Sequence, residues 1–340
     1  MSSKLKKSRV FLALASFAAL ASTLVGCSSD SSEGQSLVIY SGRSEEFIAP
    51  FLAEFTEKTG IQLDVRYGDS AALAAQILEE GENSPADLFL SQDAGSLGAV
   101  SAAGLLRSLD QDLLGKVDVK YQSANQDWVG ITGRARVFVY SPERVKVLPK
   151  SIDDLLAAQW KGRLAIAPTN SSFQAFISAL IQSRGDAAAE KWLNGLMKNE
   201  PKLYEKNSQI VEAVDAGEID LGLVNHYYLW EVAQELGRDL NAAIEFFQPG
   251  DLGNLINVSG AGILNTAKNS EGAQDLIAYL LEEETQAKFV SDTHEYSIVN
   301  PSLTPEDLPA LSAIKSPAVD LSTLADLKRT QDLLIRVGLL

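Results

Sequence analysis

Apolar and polar positions along the chain follow two periods, one typical of buried strands and one typical of amphipathic helices. Strands are predicted at "LVIYSG" (37–42), "IQLDVRY" (61–67), "ADLFLS" (86–91), "RLAIAP" (163–168) and "IDLGLV" (219–224). Helices are predicted from Ser44 to Gly60, over Ser70 to Glu80, near Ser172 to Ser183, and from about His226 to Leu236. Strands that alternate with helices predict an α/β fold in which strands pair mostly in parallel.

The first two predicted helices also carry end signals. Ser44 can cap the first helix, Glu45 and Glu46 place negative charge in its first turn, and Gly60 ends it. Gly81 closes the second helix in the same way. The apolar face expected on the first helix consists of Phe47, Phe51, Leu52 and Phe55.

The N-terminal segment has the layout of a bacterial lipoprotein signal. A basic start is followed by an uncharged apolar run at residues 10–24, which is shorter than a typical transmembrane helix. The run ends in "LVGC", which resembles a lipobox. We therefore expect residues 1–26 to be a signal peptide, Cys27 to be lipidated, and residues 27–36 to form a flexible polar tether. The alternative for Cys27 is a buried free thiol.

Composition and charge narrow the class of protein further. Cys27 is the only cysteine, so the sequence predicts no disulfide and no thiolate metal site. Removal of residues 1–26 takes away four basic side chains and no acidic one, which leaves 25 basic against 45 acidic residues, a net charge of −20. This charge argues against nucleic acid as a partner. The remaining chain of about 310 residues is long enough for two domains.

Polar loops follow four of the predicted strands. Their sequences are "SGRSEE", "SQDAGS", "PTNSSF" and "NHYYLW". In α/β sheets, ligands bind beyond the carboxyl ends of the strands, where helix N-termini also point. We therefore expect the four loops to form the wall of one cleft.

Two adjacent tyrosines, Tyr227 and Tyr228, stand at one of these strand ends. Aromatic packing is one interpretation, because tyrosine is amphipathic and often half-buried. Metal ligation is the other, because a highly charged ion deprotonates a phenol, and phenolate oxygen suits hard ferric iron. At the entry to a helix the first tyrosine need not be helical, so both rings can face a single ion.

Longer motifs in residues 37–340 match one known pattern when they are taken in order. They include "TGIQLDVRYGDS", "EEGENSPADLF", "DWVGITGRARVFVY", "QWKGRLAIAP", "VEAVDAGEIDLGLVN", "NHYYLW" and "VSGAGIL". The chain thereby resembles the ferric-ion-binding proteins of bacterial ABC importers, often called bacterial transferrins. The resemblance implies an α/β, two-lobed periplasmic-binding-protein fold of type II. Each lobe would be a mixed, mostly parallel sheet flanked by helices, with the ligand in the interlobe cleft.

Two segments, "DWVGITGRARVFVY" and "NLINVSGAGIL", look like the strands that cross between the two lobes. They therefore set the predicted boundaries of the lobes. We predict that residues 37–136 with 259–308 form lobe 1. Residues 137–258 with 309–340 are predicted to form lobe 2. Hinge closure would then bring the tyrosine pair on one lobe to the loops of the other.

The resemblance also implies the ligands. Tyr227 and Tyr228 match the iron-binding pair, and Tyr140 matches a further tyrosine ligand found in one branch of the family. In other members a small anion completes the coordination, and carbonate, citrate and phosphate are the candidates here. The positions that match its binding site are Asn170, Ser171, Ser172, Asn207 and Asn225. A helix N-terminus with free N–H groups and hydroxyls, as expected at residues 170–172, is also an anion site on general grounds.

Two positions depart from the family pattern. Many members carry a histidine after the first strand and a ligating glutamate after the third, where this chain has Ser44 and Gln92. Gln92 can still hydrogen-bond an anion or a metal-bound water, and Glu45 and Asp93 are neighbouring carboxylates. Because a histidine and a carboxylate ligand are missing, we expect Tyr140 or an exogenous anion to complete the coordination shell of the ferric ion.

Arg134 and Arg136 alternate on one predicted strand, with Tyr140 at the same parity. A guanidinium near a phenolate or a bound anion favours the charged form, whereas surface salt bridging is the alternative role for both arginines. For Tyr140 the alternative is aromatic packing at the hinge. His226 and His294 have no partner at metal-ligand spacing, so we interpret both as non-ligands.

No nucleophile elbow, zincin helix, P-loop or dinucleotide fingerprint is found in the sequence, so an enzyme is not predicted. We predict a monomeric, extracytoplasmic lipoprotein that binds Fe³⁺ as its transported ligand and delivers it to the membrane permease of an ABC importer. The main alternative is a receptor of the same fold for an organic anion, phosphonate, sulfonate or polyamine. A third interpretation is a cell-surface enzyme or adhesin on a lipid anchor.

Overall fold

The computed structural model describes residues 36–317 and 319–340. The predicted signal peptide, the lipidation site at Cys27 and the tether up to residue 35 lie outside the described residues. Across residues 36–317 and 319–340, no helix combines the length and the apolar character needed to span a bilayer.

Strands and helices alternate along most of the described chain. The strands are β1 Ser36–Ser41, β2 Gln62–Tyr67, β3 Leu88–Ser91, β4 Trp128–Tyr140, β5 Leu164–Ile166, β6 Lys202–Leu203, β7 Leu221–Asn225, β8 Ala243–Glu245, β9 Ile256–Ile263 and β10 Tyr296–Ser297. The helices are α1 Glu45–Thr59, α2 Ser70–Glu80, α3 Ala94–Ala102, α4 Gln111–Leu114, α5 Ser171–Arg184, α6 Asp186–Met197, α7 Asn207–Asp215, α8 Tyr228–Leu236, α9 Ser270–Leu280, α10 Glu283–Thr293 and α11 Leu327–Arg336. The predicted mixed α/β class is confirmed.

The strands pair in the order β2-β1-β3-β9-β4-β7-β5-β6, and β8 and β10 also pair with β4. The outer pairs β1 with β2 and β3, and β5 with β6 and β7, are parallel. The pairs that β4 and β9 make are antiparallel. Strand β4 is the link, because it pairs with β9 over Trp128–Ala135 and with β7 over Arg136–Tyr140.

The central position of β4 explains its composition. Twelve of its thirteen residues are buried, including the polar Thr132 and the charged Arg134 and Arg136, so both faces of the strand are covered. Glycine is required at Gly130, because a Cβ there would lie 2.8 Å from Ile298 Cδ1 and 3.0 Å from the Tyr121 carbonyl oxygen. The register with β9 shifts between Gly130 and Thr132 at the same point.

The cap of one helix and the start of another differ from the prediction. Helix α1 begins at Glu45 as expected, but the Ser44 hydroxyl does not cap it. Helix α8 begins at Tyr228 instead of His226, because β7 continues to Asn225 and the next two residues form a turn. Phe47 is only half-buried, and its ring centroid lies 5.4 Å from that of Tyr227, so it faces the tyrosine turn.

Candidate functional site

The two adjacent tyrosines converge on one side chain from another loop. The amide nitrogen of Gln92 donates hydrogen bonds to the phenol oxygens of Tyr227 at 2.9 Å and Tyr228 at 3.1 Å. The ring centroids of the tyrosines are 4.4 Å apart, and both side chains are at least 90% buried. The loops after β3 and β7 therefore meet at one point, and both phenol oxygens face it.

Aromatic packing accounts for the bodies of these rings. Tyr227 and Tyr228 belong to an apolar cluster that includes Val137 and Val139 of β4 and Val224 of β7. Packing alone does not direct two hydroxyls toward the same atom. The two interpretations of the tyrosine pair are therefore compatible, with buried rings and converging oxygens.

Burial keeps the second phenol protonated in the iron-free protein. The pKa of Tyr228 is raised well above its ordinary value by burial, and nearby Tyr227 and Glu231 raise it further. The hydrogen bond from Gln92 acts in the opposite direction. A phenol in this environment becomes a phenolate when a highly charged cation replaces its proton.

A buried ion pair lies beside the phenols. Arg43 donates to both carboxylate oxygens of Glu295 at 2.8 and 3.0 Å, and its guanidinium stacks 4.2 Å from the centroid of Phe47. Burial lowers the pKa of Arg43, but Glu295 and the tyrosines Tyr227 and Tyr228 outweigh burial and raise it. The guanidinium is therefore positioned to stabilise negative charge on either phenol.

Arg136 is a buried cation without a carboxylate partner among the described residues. It is 2% exposed, and its Nη atoms donate hydrogen bonds to Ser172 Oγ and the Leu223 carbonyl oxygen, both at 3.4 Å. Its guanidinium carbon also lies 5.6 and 5.3 Å from the ring centroids of Phe173 and Phe176. Burial lowers the pKa of Arg136 to about 9, although Tyr228 opposes the shift. The side chain stays charged at neutral pH and favours an anion nearby.

The predicted anion loop contacts this guanidinium through Ser172. Asn170 caps α5 by accepting from the Ser172 backbone N–H at 3.1 Å and from Ser172 Oγ at 2.6 Å. The Asn207 amide donates to Asn170 Oδ1 at 3.1 Å, and Asn225 is paired directly with Arg136 between β7 and β4. Residues directly opposite in an antiparallel pair project from the same face, so Asn225 joins this group.

Several polar atoms in this group are buried without a hydrogen-bond partner in the described part of the chain. They are Arg136 Nε, Ser171 Oγ, Asn207 Oδ1 and Asn225 Nδ2. Buried polar atoms are normally paired, and unpaired ones carry a free-energy cost. Together with the N-terminus of α5, the donors among them form a site suited to an oxyanion.

The structure does not bring Tyr140 to this group. Tyr140 pairs with Leu221 and Ala243, and its ring packs 5.8 Å from that of Phe138. Burial and nearby Glu245 both raise the pKa of Tyr140. It lies four residues along β4 from Arg136, at the end of the β4–β7 pair away from the tyrosine turn.

The remaining predicted residues have other partners. Ser44 and Glu45 are exposed at the start of α1. Asp93 is fully buried and caps α3, accepting from the Ser96 backbone N–H at 2.8 Å and from Ser96 Oγ at 2.9 Å. Arg134 is buried 3.9 Å from Glu295, so it is not a surface salt bridge.

Both histidines are engaged away from the phenol oxygens. Each ring nitrogen of His226 contacts a backbone group, of Ala135 and of His294 respectively. The His294 ring stacks on Trp230 with centroids 4.7 Å apart. These contacts agree with the interpretation of both histidines as non-ligands.

Residues 83–315 match the model of a family described as bacterial extracellular solute-binding protein. The chain belongs to this family. It is 33% identical over 318 residues to the Fe(3+)-binding periplasmic protein of Serratia marcescens, with 91% of this chain and 92% of the relative covered. The solved structure of iron-bound HitA from Pseudomonas aeruginosa matches with a TM-score of 0.85 and 34% identity, over 89% of this chain and 99% of HitA.

A further solute-binding structure, Trichodesmium IdiA (FutA) in complex with iron and citrate, matches with a TM-score of 0.73 and 28% identity, over 90% of this chain and all of that one. The predicted family resemblance and the type II periplasmic-binding-protein fold are thereby confirmed. The relatives are binding proteins by name, so this solute-binding protein is not an enzyme.

Three residues of the site in this solute-binding protein were not predicted from the sequence. Arg43 is part of "SGRSEE", and its position directly after the first predicted strand could have indicated a residue at the ligand-binding edge of the sheet. Glu295 pairs with Arg43 across 252 positions, and no local pattern indicates that contact. His226 was interpreted as a non-ligand, and its contacts with Ala135 and His294 were not predicted.

Proposed function

We propose that this protein binds ferric iron through the phenolates of Tyr227 and Tyr228. The observation that supports this most directly is the shared hydrogen-bond donor, Gln92 Nε2. Because both phenol oxygens lie within hydrogen-bond distance of one nitrogen, a single cation that replaces that nitrogen can contact both. The relatives named for ferric iron support the identity of the cation.

Charge balance indicates that the tyrosine pair is not the complete shell. Two phenolates leave one positive charge on Fe³⁺, and buried Arg136 adds another. Unmatched charge in a buried site is costly, so an anion is required. We assign it to the N-terminus of α5 with Ser171, Ser172, Asn207 and Asn225, where carbonate, citrate or phosphate would bridge Arg136 and iron.

We leave Tyr140 out of the proposed shell. Its distance along β4 and its pairing with Ala243 support a packing role instead. Ser44 and Asp93 are also left out as ligands. Ser44 is exposed, and the Asp93 carboxylate caps α3. Gln92 remains as a neutral group that positions the phenols and can contact a bound anion.

Lobe closure is the proposed route of capture and release. In the predicted division, Gln92 belongs to lobe 1 with residues 37–136 and 259–308, and the tyrosines belong to lobe 2 with residues 137–258 and 309–340. The hydrogen bonds from Gln92 would then form only in the closed state. Opening about β4 and β9 would release iron to a membrane ABC permease.

We also propose that the protein acts outside the cytoplasm as a monomer, held to the membrane through a lipid on Cys27. The support is the N-terminal sequence, with its basic start, apolar run and "LVGC". The periplasmic relatives are consistent with an extracytoplasmic site of action.

A receptor for an organic anion is the second candidate, and Arg136 is the observation that favours it. A buried guanidinium without a carboxylate partner among the described residues suits a phosphonate, a sulfonate or a carboxylate solute as well as a metal-bound anion. In that case the tyrosines would hydrogen-bond the solute directly.

Visible absorption separates the two candidates. Titration of the purified protein with ferric citrate should produce a phenolate-to-iron charge-transfer band that saturates at one equivalent. The organic anions of the second candidate, added without iron, should give no band. Tight binding of such an anion together with a colourless ferric titration would contradict the iron assignment.

A further inference from the structure

The imidazole of His226 continues the β4–β7 ladder beyond its last strand pair. That pair is Arg136 with Asn225. At the next position the His226 backbone N–H donates to the Ala135 carbonyl oxygen at 3.0 Å, as in a normal ladder. The Ala135 N–H, however, donates to Nδ1 of the His226 ring at 3.1 Å and not to a backbone carbonyl.

Because the ring nitrogen accepts in place of the His226 carbonyl oxygen, the backbone at His226 is free to leave the strand direction. The His226 carbonyl oxygen accepts from the Leu229 N–H at 3.4 Å, and the Tyr227 carbonyl oxygen accepts from the Trp230 N–H at 3.1 Å. The chain therefore leaves the strand and enters α8 at the tyrosine pair. The Ala135 N–H, which would otherwise lose its partner at the strand end, stays satisfied.

The second ring nitrogen reaches a different segment. His226 Nε2 lies 2.7 Å from the His294 carbonyl oxygen, so Nε2 carries the proton and donates. His294 has φ 55° and directly precedes Glu295, which holds Arg43 beside the phenols. Because the Ala135 N–H donates to Nδ1, the ring is the neutral tautomer with its proton on Nε2.

The ring also contacts the site directly. Its edge meets the ring of Tyr227, with centroids 5.6 Å apart and planes at 88°. On another side its centroid is 4.9 Å from that of Tyr296. His226 is fully buried, so few alternative positions are open to it or to the tyrosine that it touches.

We propose that His226 is a positioning residue for the tyrosine pair. Its Nδ1 replaces a ladder acceptor so that two consecutive tyrosines can turn toward Gln92, and its Nε2 ties that turn to the segment that holds Arg43. This inference rests on the proposed iron-binding role, and it adds that the phenols are aligned before iron arrives.

Three substitutions at His226 separate the two ring nitrogens. His226→Asn retains an acceptor near the position of Nδ1, His226→Gln retains a donor near the position of Nε2, and His226→Ala retains neither. The matched control is Leu193→Ala, which removes buried volume from α6 away from the turn. Its purpose is to lower the melting temperature without touching the tyrosines.

The first measurement uses iron-free protein with ¹³Cζ-labelled tyrosine. His226→Ala should shift the NMR signals of Tyr227 and Tyr228, because the turn loses its anchor, and His226→Asn should restore them in part. Leu193→Ala should leave both signals at their wild-type positions. Wild-type signals in folded His226→Ala protein would overturn the inference, whatever iron does.

The second measurement is the ferric titration of the same variants well below their melting temperatures. We expect His226→Ala to weaken iron binding by about tenfold or more and to shift the charge-transfer band, with smaller effects for the asparagine and glutamine variants. A purely structural role would lower the melting temperature and leave the band unchanged, which would overturn the inference. A wild-type protein without any band would instead overturn the proposed iron function.

Discussion

The two ends of the β4–β7 pair have the same backbone pattern but different surroundings. At one end Arg136 and Asn225 lead into the turn of Tyr227 and Tyr228, where buried polar atoms lack partners in the described chain. At the other end Tyr140 packs on Phe138, half-buried and beside Glu245. The two ends lie roughly 13 Å apart, at about 3.3 Å per residue.

The difference shows that two residues on the same face of a strand need not lie close to the same ligand. Arg136 and Tyr140 do share a face of β4, as their spacing predicts. A tyrosine side chain is too short to cover four residues of strand, so the shared face does not place both beside one ion. The phenols beyond the end of β7 converge on Gln92 from another loop, whereas the Tyr140 ring packs on Phe138 of its own strand.

The largest effect should come from removing one phenol at the turn. Tyr227→Phe or Tyr228→Phe should weaken ferric binding by on the order of 100-fold or more, because a buried cation loses a charged partner. The fold should lose only about 1 kcal/mol, the contribution of one hydrogen bond to Gln92. Ferric titration and thermal melting of both variants measure the two effects separately. Wild-type ferric affinity in both variants would show that the tyrosine turn is not part of the iron-binding site.

A smaller loss is expected at the buried guanidinium. Arg136→Met should weaken ferric binding by roughly tenfold, because the required anion loses its cation. Added carbonate, citrate or phosphate should then have little effect on affinity, whereas the wild type should depend strongly on one of them. The control is the exposed Arg184→Met. Equal anion dependence in wild type and Arg136→Met would exclude Arg136 from anion binding.

Gln92→Glu should change affinity in the opposite direction. A carboxylate at this position would add a charged ligand between the two phenols, so we expect affinity to rise by about tenfold and anion dependence to fall. Gln92→Ala, which has no polar group, serves as the comparison. A Glu variant that binds iron no better than the Ala variant would show that this position does not reach the metal.

The smallest effect should come from the far end of β4. Tyr140→Phe should change ferric affinity by less than about twofold, since its hydroxyl is remote from the turn. The same titration with anions removed and restored would detect any hidden contribution. A large loss in anion-depleted buffer would contradict the distinction drawn between the two ends, and would return Tyr140 to the coordination shell.

Local patterns in the sequence predicted the elements well. Helix α2 spans Ser70–Glu80 as expected, because the terminal Gly81 is a local signal. The structure adds an N-terminal cap at Asp69 that was not predicted. The strand ends and the four polar loops were also predicted, and two of those loops do meet at Gln92 and the tyrosine pair.

Three features of the site were beyond those patterns. The Arg43–Glu295 pair depends on a contact across 252 positions, which no local period records. The position of Tyr140 depends on the register between β4 and β7, which the sequence does not specify. The start of α8 shifted because the His226 ring takes over a ladder acceptor, and that role depends on Ala135 of a distant strand.

The most direct test of the central claim is an anomalous-diffraction map at the iron absorption edge, from crystals grown with one equivalent of ferric citrate. We predict a single strong peak within bonding distance of the phenol oxygens of both Tyr227 and Tyr228, with oxyanion density between the peak and the N-terminus of α5. A peak bound to Tyr140, or bound elsewhere with the tyrosine pair still hydrogen-bonded to Gln92, would contradict the account.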